Sequence, residues 1–152
     1  MPGTIVFGAL TTIATAMYSD GTSPSLVSLA NDARQISDEI DNSTNRYTHI
    51  ALDLYIRASA SPSAVPYVSI WFVNTVDATN YEDGSTSVTP ARNPDVNILL
   101  RSITTQQRLS VIVPFYCPLK FKILLLNKVG VALTATSNEN ILKYRLFGHQ
   151  IT

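Results

Sequence analysis

From position 47 to 58 the side chains alternate: Ile50, Leu52, Leu54, Ile56 and Ala58 are apolar, and His49, Asp53 and Arg57 sit between them. A period of two sends one set to one face of a β-strand, so the segment predicts a half-buried strand. A Ser-, Ala- and Pro-rich stretch follows at 59–66, and then Tyr67-Val68-Ser69-Ile70-Trp71-Phe72-Val73, β-prone and apolar on both faces. The pair predicts central strands joined by a loop. Four further strands are expected at 96–104, 108–115, 119–127 and 141–147, with turn signals at 105–107, 114–118, 127–130 and 137–140. In the third of these Leu119, Phe121, Ile123 and Leu125 share a face, and Lys120 and Lys122 mark the other as the solvent side.

The remaining segments are less regular. Leu29, Ala33, Ile36 and Ile40 lie at helical spacing, yet Asn31-Asp32 reads as a turn and the run is short and polar. Two short strands around that turn are expected, with a helix as the alternative. Residues 1–24 scatter Gly3, Gly8, Gly21 and Pro24 among apolar and β-branched residues, which suits a first strand or an arm laid on a neighbouring subunit. The stretch 77–94 turns to Asp, Asn, Gly, Ser and Pro, an excursion of the kind compact domains keep for contacts. Many strands without helical patterns between them predict an all-β fold, an antiparallel β-sandwich of jelly-roll type with an extended N-terminal arm. The arm or first strand takes 1–24 and one sandwich domain takes 25–152.

Composition adds a bias toward assembly. Of 152 residues 45% are hydrophobic but only 14% are charged, below the roughly 25% of an ordinary soluble domain. Ser, Thr and Asn fill the difference, and such short neutral side chains lose little entropy when another surface covers them. Net charge is zero, but residues 1–91 hold three cations against nine anions and residues 92–152 hold eight against two, net −6 and +6. The halves either interleave in one sandwich and cancel, or attract neighbouring subunits head to tail. Basic residues are scattered singly instead of clustering with aromatics, so no nucleic-acid partner is expected. No apolar run reaches membrane-spanning length, and 5–17 lacks the basic flank of a signal peptide, so a soluble, cytoplasmically made protein with no membrane partner is expected.

Chemistry has few candidates. His49 and His149 are the only histidines, Cys117 the only cysteine, and no Gly-x-Ser-x-Gly elbow, zinc ligand cluster or phosphate loop is present. Asp77, Glu82 and Asp83 could supply paired carboxylates or calcium oxygens, but they lack the spacing of a known calcium loop and read as a solvated turn. Trp71, Phe72, Tyr55 and Tyr67 fit a core better than a sugar platform, whereas Tyr81 lies in a polar loop and suits a contact or a lid. No enzyme, metal or cofactor is expected. The loop residues Asp77, Asn80, Tyr81, Glu82 and Asp83 are the candidate contact loop. Ile5, Val6, Phe7, Leu10 and Ile13 are the candidate interface arm, because such an apolar stretch is otherwise exposed or needs a strand partner.

Four blocks carry a resemblance. Ser28-Leu29-Ala30-Asn31 leading to Ile40-Asp41-Asn42-Ser43, then the run from Val76 to Gly84, then Phe121-Lys122-Ile123-Leu124-Leu125-Leu126-Asn127, and last Asn140-Ile141-Leu142-Lys143-Tyr144-Arg145, resemble small virion proteins of tailed bacteriophages. Residues 1–27 have no counterpart in that pattern. The resemblance implies a β-sandwich of capsid decoration or cement type, several copies of which clasp capsomers from outside. On that expectation the partners are the major capsid protein and further copies of the chain, a trimer by analogy, and the location is the capsid surface. The alternative expectation is a carbohydrate-binding sandwich on a phage tail or capsid, centred on the Tyr81 loop.

Overall fold

The computed structural model describes residues 5–7, 11–114 and 118–151, with backbone alone for 5–7 and 149–151. Eleven strands are present among them and no helix: β1 (Ile5–Phe7), β2 (Ala14–Met17), β3 (Arg34–Ile36), β4 (Ile40–Asp41), β5 (His49–Ile56), β6 (Tyr67–Thr75), β7 (Val96–Leu99), β8 (Gln107–Pro114), β9 (Lys120–Lys128), β10 (Ile141–Phe147) and β11 (His149–Ile151). All ladders are antiparallel and nested: β6 pairs β7, β5 pairs β8, β3 and β4 pair β9, β2 pairs β10, and β1 pairs β11. The chain is therefore one long hairpin rolled up on itself. Rolling adds the ladders β10–β5 and β9–β6, giving a sheet of order β2-β10-β5-β8 facing one of order β3-β9-β6-β7, with β4 also on β9. That alternation of nested pairs between two sheets is a jelly roll.

The inner faces meet in one core. Ile50, Leu52, Leu54 and Ile56 of β5 oppose Val68, Ile70 and Phe72 of β6 and Phe121, Ile123 and Leu125 of β9, all buried. Phe72 and Phe121 meet edge to face at 6.0 Å. Met17 of β2 is fully buried in the same core, so part of the stretch read as arm or first strand is an edge strand of the sandwich. Buried asparagines tie the loops: Asn127 Nδ2 donates to the carbonyls of Leu29, Ala30 and Val131, Asn140 bridges the Arg57 amide and the Thr134 carbonyl, and Asn42 bridges Tyr47 and Pro118.

Three expectations change. The turn at Asn31-Asp32 forms, with Asp32 at φ +63°, but both short strands follow it instead of flanking it, and the helical spacing of Leu29 and Ile40 forms no helix. The strand expected at 96–104 stops at Leu99, because the Gln107 side-chain amide takes both the N–H and the carbonyl of Arg101, standing in for a backbone partner in a tight loop. On β9 the lysine-marked face meets solvent only near its ends; Leu124 and Leu126 lie buried on it.

Charge interleaves within the chain. Of the six ion pairs among the described residues, Arg57–Glu139, Arg92–Glu82, Arg108–Asp53, Lys120–Glu39 and Lys128–Asp32 join the acidic half to the basic half, and Arg92–Asp95 alone stays within one.

Candidate functional site

The two outer faces of the sandwich are treated differently by the chain. On the β3-β9-β6-β7 sheet, β6 and β9 turn Trp71, Val73, Leu124 and Leu126 outward, and the loop 76–95 folds back over them with Tyr81, while Ile36 packs from β3. Gly84 makes this closeness possible: a Cβ there would meet Val73 Cγ2 at 2.9 Å. A second small core results, held by the only tryptophan, whose indole N–H donates to the Arg92 carbonyl at 3.0 Å.

Arg92 anchors the loop. Its guanidinium donates to both Glu82 carboxylate oxygens at 2.8 and 2.9 Å, to Asp95 at 2.9 Å and to the Phe72 carbonyl at 2.8 Å. Those hydrogen bonds hold the Glu82 carboxyl below its usual range, against the opposing effect of burial. Asp77 accepts from the amides of Thr79 and Asn80 and from the side chains of Asn80 and Thr75, which lowers its pKa strongly and lets Ala78 adopt φ +61°. The Tyr81 hydroxyl donates to Glu39, and the Lys122 ammonium lies over its ring at 4.6 Å. Burial first, then Glu39, pushes the phenol up to about 12.

The candidate contact loop is thus brought together, but Asp77, Asn80 and Glu82 spend polar groups within the loop and Tyr81 spends its hydroxyl on Glu39, between β3 and β4. Asp83 is exposed beside them. Among the described residues no three His, Cys, Asp or Glu side chains form a metal-holding group. The arm residues are dispersed. Ile5, Val6 and Phe7 form β1 and pair with Ile151, Gln150 and His149 of the same chain, Leu10 lies outside the described residues, and Ile13 is 53% exposed beside the other sheet. His49 stacks on Phe147 with ring centroids 5.3 Å apart, whereas Cys117 lies outside the described residues. Among those residues, no helix is long and apolar enough to cross a membrane.

The β2-β10-β5-β8 sheet carries no such covering loop among the described residues. Register across β5 builds its outer face in rows: Tyr55 between Ile141 and Arg108, Asp53 between Lys143 and Ser110, and Ala51 between Arg145 and Ile112. Arg108 grips Asp53 through two bonds of 3.0 and 2.9 Å, Ser110 adds a third at 2.9 Å, and the carboxyl is held low chiefly by Arg108. Arg108 and Lys143 also lie over the Tyr55 ring at 5.1 and 5.5 Å. Lys143 and Arg145 have no ion pair among the described residues, and the buried Nε of Arg145 has no acceptor. Ile112 is 63% exposed beside them. Between these rows and Ile13 lies a groove of about 160 Å³. Sequence reasoning missed this face. Its signal was the alternation of Lys143 and Arg145 with Leu142 and Tyr144, but only the register brings Ser110 and Arg108 to it.

No protein-family profile matches the chain, and no curated protein does. Among solved structures it is similar to the K1 cleaved adhesin domain of Lys-gingipain from Porphyromonas gingivalis W83, with 8% identity, 78% of this chain and 63% of that chain covered, and a TM-score of 0.33. The chain thus spans less than two thirds of that domain, and a likeness of this size carries no weight for function.

Proposed function

We propose that the chain is a non-enzymatic structural protein of a virus particle, of capsid decoration or cement type, acting in several copies and binding the major capsid protein across capsomer boundaries. The observation that supports this reading is the contrast between its faces: one sheet is sealed by the chain's own loop, and the other, uncovered among the described residues, presents cations and aliphatic groups around Asp53 and Tyr55. Jelly rolls serve viral shells and lectins alike, so the surface has to decide between them. A lectin reading centred on Tyr81 would need that ring free, and its hydroxyl and its face are engaged by Glu39 and Lys122. A low-charge skin rich in Ser, Thr and Asn supports weak contacts repeated by symmetry, which gain strength through avidity.

The experiment is to find the chain on intact particles by antibody labelling of the folded protein. The expected result is regular labelling of the outer head. Particles that lack the chain, or carry it only on tail fibres, overturn the proposal.

A further inference from the structure

Resting on the reading that this protein binds protein surfaces, we infer that the bare β2-β10-β5-β8 face is the docking site, and that its groove takes a carboxylate side chain from an acidic, partly aliphatic segment of the partner. Charge complementarity carries the inference. Arg108 forms the ion pair with Asp53, so this part of the face keeps a net positive charge from Lys143, which lies over Tyr55, and Arg145, both lining the groove together with Asp53. Arg145 Nε is buried without an acceptor among the described residues, and a buried donor of that kind has lost its water without a replacement bond. The Ser110 hydroxyl lies across the groove, already turned to Asp53. A carboxylate entering there would meet the Lys143 and Arg145 side chains, beside an Asp53 carboxylate already held by Arg108 and Ser110.

Size and lining narrow the occupant. About 160 Å³ lies well below the roughly 300 Å³ at which small-molecule sites begin, and resembles the ~150 Å³ engineered cavity that holds one benzene. One side chain fits a groove of that size. Exposed Ile13 lines the groove, and exposed Ile112 follows Ser110 by two residues on β8, so the segment that brings the carboxylate also covers methyl groups. Of the rings on this face, Tyr55 lies under Arg108 and Lys143, and Phe147 stacks on His49.

The test is an NMR titration of the labelled full chain with a capped peptide alternating glutamate and alanine, beside the same peptide with glutamine for glutamate and, separately, a sulfated oligosaccharide. The expected result is shift changes at Ser110, Lys143 and the Arg145 Nε–H with the glutamate peptide only. Affinity should fall at least fivefold in Lys143→Gln with Arg145→Gln. Should that double variant fail to fold, the charge-reversed pair Lys143→Glu with Arg145→Glu is titrated with a lysine–alanine peptide, which should now bind at the same place. Equal binding of the glutamine peptide, changes confined to another surface, no binding of the glutamate peptide, or preference for the oligosaccharide would each overturn the inference. Absence of the chain from particles would sink the virion proposal and leave this titration standing; a failed titration would leave particle labelling untouched.

Discussion

The outer face of the β3-β9-β6-β7 sheet and that of the β2-β10-β5-β8 sheet come from the same rolled hairpin, yet one is a second core and the other is surface. The cause is which side chains each strand turns outward. β6 and β9 send out Trp71, Val73, Leu124 and Leu126, apolar area that gains roughly 25 cal/mol per Å² when covered, and the chain covers it with its own loop. β5 and β10 send out Ala51, Asp53, Tyr55, Lys143 and Arg145, a small or polar set with little apolar area to cover. A face that needs no apolar cover to fold, and has none among the described residues, is available between molecules.

The largest effect should come from removing the centre of the sealed face. Trp71→Ala deletes a ring that is 4% exposed together with its bond to the Arg92 carbonyl, and should cost about 3–5 kcal/mol in denaturant unfolding followed by circular dichroism. A loss below about 1 kcal/mol would mean that the loop lies loosely on the sheet and that the two faces do not differ as described.

Arg92→Leu should cost less, about 2 kcal/mol, because it removes the guanidinium bonds to Glu82, Asp95 and the Phe72 carbonyl while the Asn74 and Phe72 amides still donate to the two carboxylates and the apolar contacts stay in place. The loop should lift locally before the sandwich melts. Trp71 reports this directly: its emission should shift to the red in the native protein while the far-ultraviolet spectrum stays unchanged. Coincident changes in both signals would show that lid and sandwich form one cooperative unit.

Much of the sandwich was legible in the sequence, since β5 keeps an unbroken two-residue period and β6, β9 and β10 stand out as β-prone apolar runs between turn signals. The second core was not, because Leu124 and Leu126 read as buried only once a loop 30 to 50 residues away is laid over them. The polar loop itself was misleading for a related reason: carboxylates such as Asp77 and Glu82 look alike in sequence whether their donors belong to a partner or, as here, to the local backbone and Arg92. The four sequence blocks on which the resemblance was read share this character. Asn42, Asn127 and Asn140 stand in three of them as buried loop ties, and Leu29, Ala30 and Asn31 meet Asn127 and Gly130, so these residues carry the fold's own bonding.

Acid gives a smaller and more selective handle on the sealed face. Glu82 has its pKa lowered in the folded state, so its contribution is fully present above the unfolded value near 4.3 and is lost as pH falls through the folded one. Glu82→Gln should therefore lose about 1 kcal/mol at pH 7. The gap between it and the parent should close as both are titrated below about pH 4. A gap that persists unchanged in acid would assign the effect to packing instead of to the Arg92 pair.

The smallest change belongs to the open face, and its smallness is the point. Ile112 is 63% exposed on β8, an edge strand that pairs only with β5 among the described residues. Ile112→Ala should alter unfolding stability by less than about 0.5 kcal/mol, as ordinary surface substitutions do. A loss of 2 kcal/mol or more would mean that this isoleucine is already covered in the isolated protein, by another copy or by part of the chain outside the described residues, and the bare face would then be a buried one. If stability holds and association weakens, folding does not depend on this side chain and binding does.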